Sequence, residues 1–270
     1  MKNFNLRIIR PDEHYAVEEI TRDAHWGDEW GAEPAIPDVH LLAHRLFACA
    51  AYVPELHFVA EFEGKLVGHI MYAKSTVVDP DGEKHEVLTF GPLSVSPSAQ
   101  NRGIGLALMR RSFEEAKRLG YRGVLIFGHP DYYPRAGFRR AADFGITTAD
   151  GKNFDPFMAY PLYDGALDGI RGKFILDPVY ENLSKEDAAE FDKKFPPKPL
   201  HTPVPIEVLL KRLPPAARKS FESSEDIAGK SLTHMQTKSE REVREMPEIC
   251  AETIETIRAV TRENGLRWGC

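Results

Sequence analysis

The segment Gln100-Asn101-Arg102-Gly103-Ile104-Gly105 has the residue types and spacing to hold an anion. It follows an apolar run, Leu93-Ser94-Val95, and a turn, Ser96-Pro97-Ser98, and it leads into a helical pattern that continues through Leu106 and Ala107. A helix start leaves about four backbone N–H groups without intrahelical acceptors and carries partial positive charge. Glycine there lets an anion approach the backbone with no Cβ in the way. Arg102 adds a fixed charge whose fork suits phosphate oxygens. The expected ligand is a phosphate or diphosphate at the amides of Arg102 to Leu106, with Gln100 and Asn101 in the same binding segment. Two familiar phosphate loops do not fit. GxxxxGK[ST] fails because Lys-Ser/Thr is missing, and GxGxxG would need glycine where Leu108 stands.

Other reactive side chains form no second constellation. His40 and His44 are spaced i, i+4, as a metal would require, but no third ligand accompanies them. Exposed or packed histidines are the better reading, and no metal is expected. Cys49, Cys250 and Cys270 are an odd, sparse set without CxxC spacing, which suits reduced thiols in a cytoplasm. Trp26 and Trp30 fall in a loop-like stretch, Trp26 to Pro37, where lining an acceptor pocket and packing the loop are equally good readings.

Positioning the glycine segment requires strands before it and a long helix after it. Leu6 to Arg10 reads as a first strand. Asp12 is placed to cap a helix with Tyr15, Val17, Ile20 and Ala24 on one face. Pro37-Asp38 opens a second helix with Leu41, Leu42, Leu46, Phe47 and Ala50 inward. His57 to Phe62 and Leu66 to Val78 form a hairpin about Glu63-Gly64-Lys65. Val87 to Val95 returns as a strand that Gly91-Pro92 should bulge or splay. The helix should run from about Gly103 to Leu119, with Gly120 as its stop. Gly123 to Phe127 suits the centre of a sheet, and Phe157 to Tyr160 reads as the last strand.

Beyond Leu183 the texture changes to proline-rich stretches and short helical patterns. Glu207 to Leu213 reads as a short helix, and Ser239-Glu240-Arg241-Glu242 as a capping box. Cys250, Ile254, Ile257 and Val260 fall on one face of a helix that Asn264-Gly265 ends. The chain therefore divides into a domain at 1–183 and a helical C-terminal extension at 184–270. The apolar stripe of that extension could cover an acceptor mouth or build a homodimer interface. At 270 residues and 42% hydrophobic content there is ample core material. A net charge of −6 argues against a general nucleic-acid binder and does not repel a cationic amine. No apolar h-region or membrane-length run is seen, so neither secretion nor a membrane partner is expected.

The order Gln-x-x-Gly-x-Gly between a strand and a long helix resembles the GNAT superfamily of acetyltransferases. The resemblance covers roughly residues 4 to 180. The element order β, α, α, β, β, β, α, β, α, β is that fold's order. Gly91-Pro92-Leu93-Ser94-Val95 looks like the splayed strand that pairs with the pantetheine arm. Tyr132-Tyr133-Pro134-Arg135-Ala136-Gly137-Phe138 resembles the family's tyrosine-to-Gly-Phe segment. Phe157-Met158-Ala159, Asp164-Gly165-Ala166-Leu167 and Gly172 look like one bacterial branch of predicted N-acetyltransferases.

The resemblance implies an α/β (α+β) fold with a mixed, mostly antiparallel sheet flanked by helices. It also implies direct acetyl transfer from acetyl-CoA to a small-molecule amine. Leu93, Ser94 and Val95 would meet the pantetheine, and Gln100, Asn101, Arg102, Gly103, Ile104, Gly105 and Leu106 the diphosphate. Tyr133, four residues before Gly137, matches the family's acid; a phenol with pKa near 10 can protonate a leaving thiolate. The base stays open among Glu61, His69, Glu86, His129 and water. Thr89 stands where some relatives carry a carboxylate. Acetylation of a protein or peptide amine and acyl-CoA sensing without catalysis are the competing readings.

Overall fold

A computed structural model describes residues 4–26, 36–200, 202–266 and 268. Trp30, most of the Trp26 to Pro37 loop, the first three residues and Cys270 lie outside the described residues. The chain forms two compact units. The first comprises residues 1–25, 36–127 and 136–197, and the second comprises 26–35, 128–135 and 198–270.

The first unit begins with β1 (Asn5–Ile8), α1 (His14–Ala24), α2 (Val39–Phe47), β2 (Phe58–Phe62), β3 (Lys65–Val78) and β4 (Lys84–Val95). It continues through α3 (Ile104–Arg118), β5 (Gly123–Phe127), β6 (Arg139–Arg140), β7 (Ile146–Thr148), β8 (Phe157–Pro161), β9 (Gly172–Ile175) and α4 (Lys185–Asp192). The strands make one sheet in the order β1-β2-β3-β4-β5-β8-β6, with β9 bridging β3 and β7. Only the β4–β5 and β7–β9 pairs are parallel. This is the mixed, mostly antiparallel sheet that the family resemblance implies.

Side-chain alternation along β3 places a helix layer on each face. Tyr72 turns toward α3, where its hydroxyl meets Ser112 Oγ at 2.7 Å. Met71 and Ala73 turn the other way, into a cluster with Val17 of α1 and Leu42 and Leu46 of α2. Of the residues whose spacing on α3 marks them for burial, Leu108, Met109, Phe113 and Ala116 are buried, while Leu106 is half-buried and Ile104 takes the buried place at the helix start.

Several expectations are corrected. Phe157 to Tyr160 is not the last strand, because β9 follows it. Strands as short as β6, β7 and β9 span too few residues to show a period of two. Asp12 does not cap α1. The chain makes a 3-10 turn at Pro11–Glu13, and α1 starts at His14 without a side-chain cap. Glu13 explains the change. Its carboxylate accepts from Arg7 at 2.6 and 2.8 Å and from the Arg10 N–H at 2.8 Å, which ties the turn to β1.

Arg7 also reaches Glu61 of β2 at 2.8 Å, so one guanidinium joins three segments. Its hydrogen bonds hold the Glu13 carboxyl down at about 2, against an ordinary 4.5. A lowered carboxyl pKa stabilises the fold above the unfolded value and ceases to do so as pH falls through the folded one. Arg7→Ala should therefore lower unfolding free energy by ~1 kcal/mol at neutral pH, with the difference vanishing toward pH ~2, as read by urea titration at several pH values.

The second unit contains α5 (Glu207–Leu210), α6 (Pro215–Glu222), α7 (Glu240–Arg244) and α8 (Ala251–Glu263). They enclose their own core, which includes Leu209, Phe221, Val243, Ile254, Ile257 and Trp268. The capping box forms as its sequence suggests, with Ser239 Oγ accepting from the Glu242 N–H at 3.0 Å and the Glu242 carboxylate from the Ser239 N–H at 2.8 Å. Cys250 does not join the buried stripe. It occupies the cap position just before α8 and is exposed. The helix anticipated at 207–213 stops at Leu210, and α4 and α6 carry no strong sequence signal. Among the described residues, no helix is long and apolar enough to cross a membrane.

Candidate functional site

At the start of α3, Asn101 and Gly103 both take left-handed backbone conformations, with φ of 62° and 79°. The N–H of Ala107 donates to the Gly103 carbonyl at 3.0 Å as the first bond of the helix. The N–H groups of Ile104, Gly105 and Leu106 precede that bond and point out of the helix start. No side chain caps Gly103, and a Cβ built on it would meet nothing within 4 Å. The turn is therefore open on the side where a Gly103 side chain would project. Gly68 of β3 allows the close packing behind it, since a Cβ there would lie 2.9 Å from the Ser94 carbonyl and 3.3 Å from an Ile104 methyl. Gln100 steadies the loop by donating to the Val95 carbonyl at 3.2 Å. Arg102 donates to the Ser98 carbonyl at 3.0 Å and lies over the Phe62 ring.

The neighbouring strand pair opens beside this turn. β4 and β5 are in register at Leu88 and Val124, and the Thr89 hydroxyl donates to the Leu125 carbonyl at 2.6 Å. Among the described residues, β4 has no pairing with β5 beyond that point. On its other edge the register with β3 jumps from Tyr72↔Phe90 to Ile70↔Leu93. Two residues, Gly91 and Pro92, therefore stand opposite Met71, which is a bulge. This is the interruption that the Gly-Pro pair implies. It also inverts the side-chain alternation. Beyond it Leu93 and Val95 pair with Ile70 and Gly68 on the α3 side. Ser94 pairs with His69 on the opposite face, where its hydroxyl lies 3.2 Å from His25 Nε2.

Each of the side chains considered as a base has a partner of its own. Glu61 is taken by Arg7, and Glu86 pairs with Lys74 at 3.3 Å. His69 is fully buried against the Thr21 hydroxyl at 2.6 Å, and burial pulls its pKa down to about 3. His129 Nδ1 accepts from the Asp131 N–H at 3.2 Å. Thr89, the carboxylate position of some relatives, spends its hydroxyl on β5. Sequence reasoning overlooked Tyr180, whose hydroxyl donates to the Gly91 carbonyl at 3.4 Å from the 3-10 turn Pro178–Tyr180. It approaches the bulge only because β9 folds back onto β3, and no local pattern announces that.

Tyr133 belongs to the second unit. Its ring lies flat against Gly128, where a Cβ would fall 2.2 Å from the ring. Tyr132 packs edge-on at 5.1 Å. Burial pushes the Tyr133 phenol well above its ordinary value of 10, so it stays protonated across the physiological range.

The histidines of α2 have separate partners. His40 is buried beside Asp192, with Nε2 at 3.2 Å from the carboxylate that also binds Arg22, while His44 pairs with Glu18 at 2.8 Å. Among the described residues only Asp79, Glu83 and His85 bring three ligand atoms within 4.8 Å. There Asp79 already accepts the N–H groups of Asp81 and Glu83 in the β3–β4 turn.

Residues 17–138 match the model of the acetyltransferase (GNAT) family. The chain is 38% identical over 91 residues to YjhQ of Escherichia coli, described as an uncharacterized N-acetyltransferase; the match takes in 33% of this chain and 49% of that protein. It is 27% identical over 110 residues to YhbS of the same organism, across 41% of this chain and 64% of that one. The chain thus spans about half the length of YjhQ and under two thirds of YhbS. The crystal structure of YhbS in complex with CoA superposes with a TM-score of 0.58 at 20% identity, covering 68% of this chain and 96% of that chain. A Brucella melitensis GNAT acetyltransferase in complex with acetyl-CoA gives 0.50 at 22% identity, covering 67% and 99%. At these identities the likeness establishes the fold. Those findings join the glycine turn, the bulged strand and the sheet order in one frame: residues 17–138 are similar to the acetyltransferase (GNAT) family, and the fold is that of its solved members.

Proposed function

We propose that this protein is an acetyl-CoA-dependent N-acetyltransferase that acts on a primary amine of a small molecule. The observation that carries the reading is the start of α3, where a Cβ built on left-handed Gly103 would meet nothing within 4 Å and the N–H groups of Ile104, Gly105 and Leu106 precede the first helical bond. A CoA diphosphate supplies the complementary charge, and the relatives YhbS and the Brucella melitensis enzyme were crystallised with CoA and acetyl-CoA. The edge of β4 from Gly91 to Val95, which lacks a β5 partner, suits the amides of a pantetheine arm. Leu93, Ser94 and Val95 would offer backbone groups there, so their side chains can pack elsewhere. The amides of Ile104, Gly105 and Leu106 would hold the diphosphate, with Gln100, Asn101 and Arg102 shaping the turn and Arg102 free to exchange Ser98 for a phosphate oxygen.

The transfer is direct. The neutral amine nitrogen forms a bond to the thioester carbon as the carbon–sulfur bond breaks. The nitrogen's surplus proton passes to water, because no described carboxylate or histidine considered above is offered to it. The leaving sulfur takes the Tyr133 phenol proton. Burial keeps the phenol neutral, so its proton is in place when the sulfur departs.

Calorimetry with CoA and thiol release with acetyl-CoA over an amine panel test the reading. Gly103→Val should weaken CoA binding about tenfold or more, because a branched side chain is strained at φ of 79° and projects where the diphosphate would sit. Unchanged affinity in that variant, or no CoA affinity in the parent protein, would refute the assignment. CoA binding without turnover of any amine would make the protein a sensor.

A further inference from the structure

We infer that the acceptor amine carries an aromatic or branched apolar group, and that this group rests on Phe127 and Phe154. The inference depends on the acetyltransfer reading and adds the substrate class to it.

Counting three residues on from the paired Leu88 and Val124 brings Gly91 level with Phe127. The last residue of β5 therefore stands across the gap from the bulge in β4. Phe127 shares its face with Thr89 and Leu125, on the side of the sheet that carries α1 and α2. Its ring stacks on buried Phe157 at 4.8 Å and lies 6.1 Å from buried Phe174. Phe154 stacks beside it at 5.8 Å with the planes 19° apart. The ladder is buried at its base and open at its top, with Phe127 44% and Phe154 42% exposed. Two large rings left wet at one place on an otherwise packed face lose hydration cost when a ligand covers them.

The polar groups nearby decide which ligand. The Thr89 hydroxyl is committed to the Leu125 carbonyl and the Tyr180 hydroxyl to the Gly91 carbonyl. The Cys49 thiol, behind Tyr180, donates to Asp177 at 3.5 Å. A polyol or amino sugar laid on this surface would lose water from its hydroxyls and meet side chains that are apolar or already bonded. An aryl or branched alkyl group gains by the same burial. With such a group on the two rings, a short linker brings its amine to the level of Gly91, where the thioester would lie.

The test is thiol release by the full chain with saturating acetyl-CoA and three acceptors: 2-phenylethylamine, ethylamine and glucosamine. We expect kcat/KM for 2-phenylethylamine to exceed the other two by about tenfold or more. Phe127→Ala and Phe154→Ala should each cut the phenylethylamine-to-ethylamine ratio about tenfold, and Phe127→Tyr should keep it. If Phe127→Ala melts early, Phe127→Leu and Phe154→Ala carry the same comparison with the fold intact. Glucosamine equal to or better than 2-phenylethylamine, or a ratio unmoved in folded variants, overturns the inference. CoA bound and amines turned over without aryl preference sinks the inference alone. CoA bound with no amine turned over also overturns it, and failure to bind CoA removes the acetyltransfer reading as well.

Discussion

Tyr133→Phe lowers kcat about a hundredfold while KM for acetyl-CoA stays near its parent value, because the variant lacks the proton for the departing sulfur. The ring and its packing against Gly128 and Tyr132 are retained, so a melting curve should hardly move. Gly128→Ala is the complementary variant. A Cβ at 2.2 Å from the Tyr133 ring forces that ring aside without touching the phenol's chemistry. It should cost kcat by a similar factor of about a hundred if placement of the hydroxyl matters as much as its presence. The pH profile separates a proton donor from a packing residue. Burial raises the phenol above its ordinary 10, so kcat of the parent enzyme should show no alkaline fall below about pH 10. Parent-like turnover by Tyr133→Phe would transfer the acid's role elsewhere.

The second large effect is on acid stability. His69 is fully buried with its pKa pulled to about 3, and His40, buried beside Asp192 and Arg22, is pulled to about 4. His57 is displaced in the same direction, again mainly by burial. A histidine whose folded pKa is lowered leaves stability intact above the unfolded value of 6.5 and erodes it as pH falls from there toward the folded value. At pH 5 the unfolded chain binds a proton at each site that the folded chain refuses. The cost is ~2 kcal/mol for His69, and His40 and His57 add to it in the same direction, against a typical domain's margin of about 5–15 kcal/mol. Urea unfolding of the full chain at pH 7 and pH 5 should show a loss of more than ~2 kcal/mol, and His69→Gln should remove ~2 kcal/mol of that dependence. A flat profile between those two pH values would show that the rings are hydrated and titrate normally.

The spread between these effects reflects how far each residue's role can be read locally. The glycine turn from Gln100 to Leu106 was legible because its parts are consecutive. A strand end, left-handed glycine and a helix start suffice to aim peptide donors outward, and the structure adds only Gly68, which lets β3 approach from behind. The bulge at Gly91-Pro92 was legible for a similar reason, since proline and glycine disturb a ladder wherever they fall. Helices with a full apolar stripe, α1, α2, α3 and α8, announced themselves by period. Short strands and short helices did not, and Asp12 lost its capping role to an ion pair with a residue outside its own turn.

Sequence alone therefore determined the local devices: a glycine turn at a helix start, a bulged strand, a tyrosine before Gly-Phe, and the periods that fill a two-faced sheet. Tertiary structure decided what those devices meet. It spent Thr89 on Leu125, Glu61 on Arg7 and His69 on Thr21, carried Tyr180 to Gly91, and left Phe127 and Phe154 open above two buried rings. The physical reason is range. Backbone conformation and helix donors depend on neighbours a few residues away, whereas burial, ion pairing and the pKa shifts they cause depend on groups that only the folded sheet brings together.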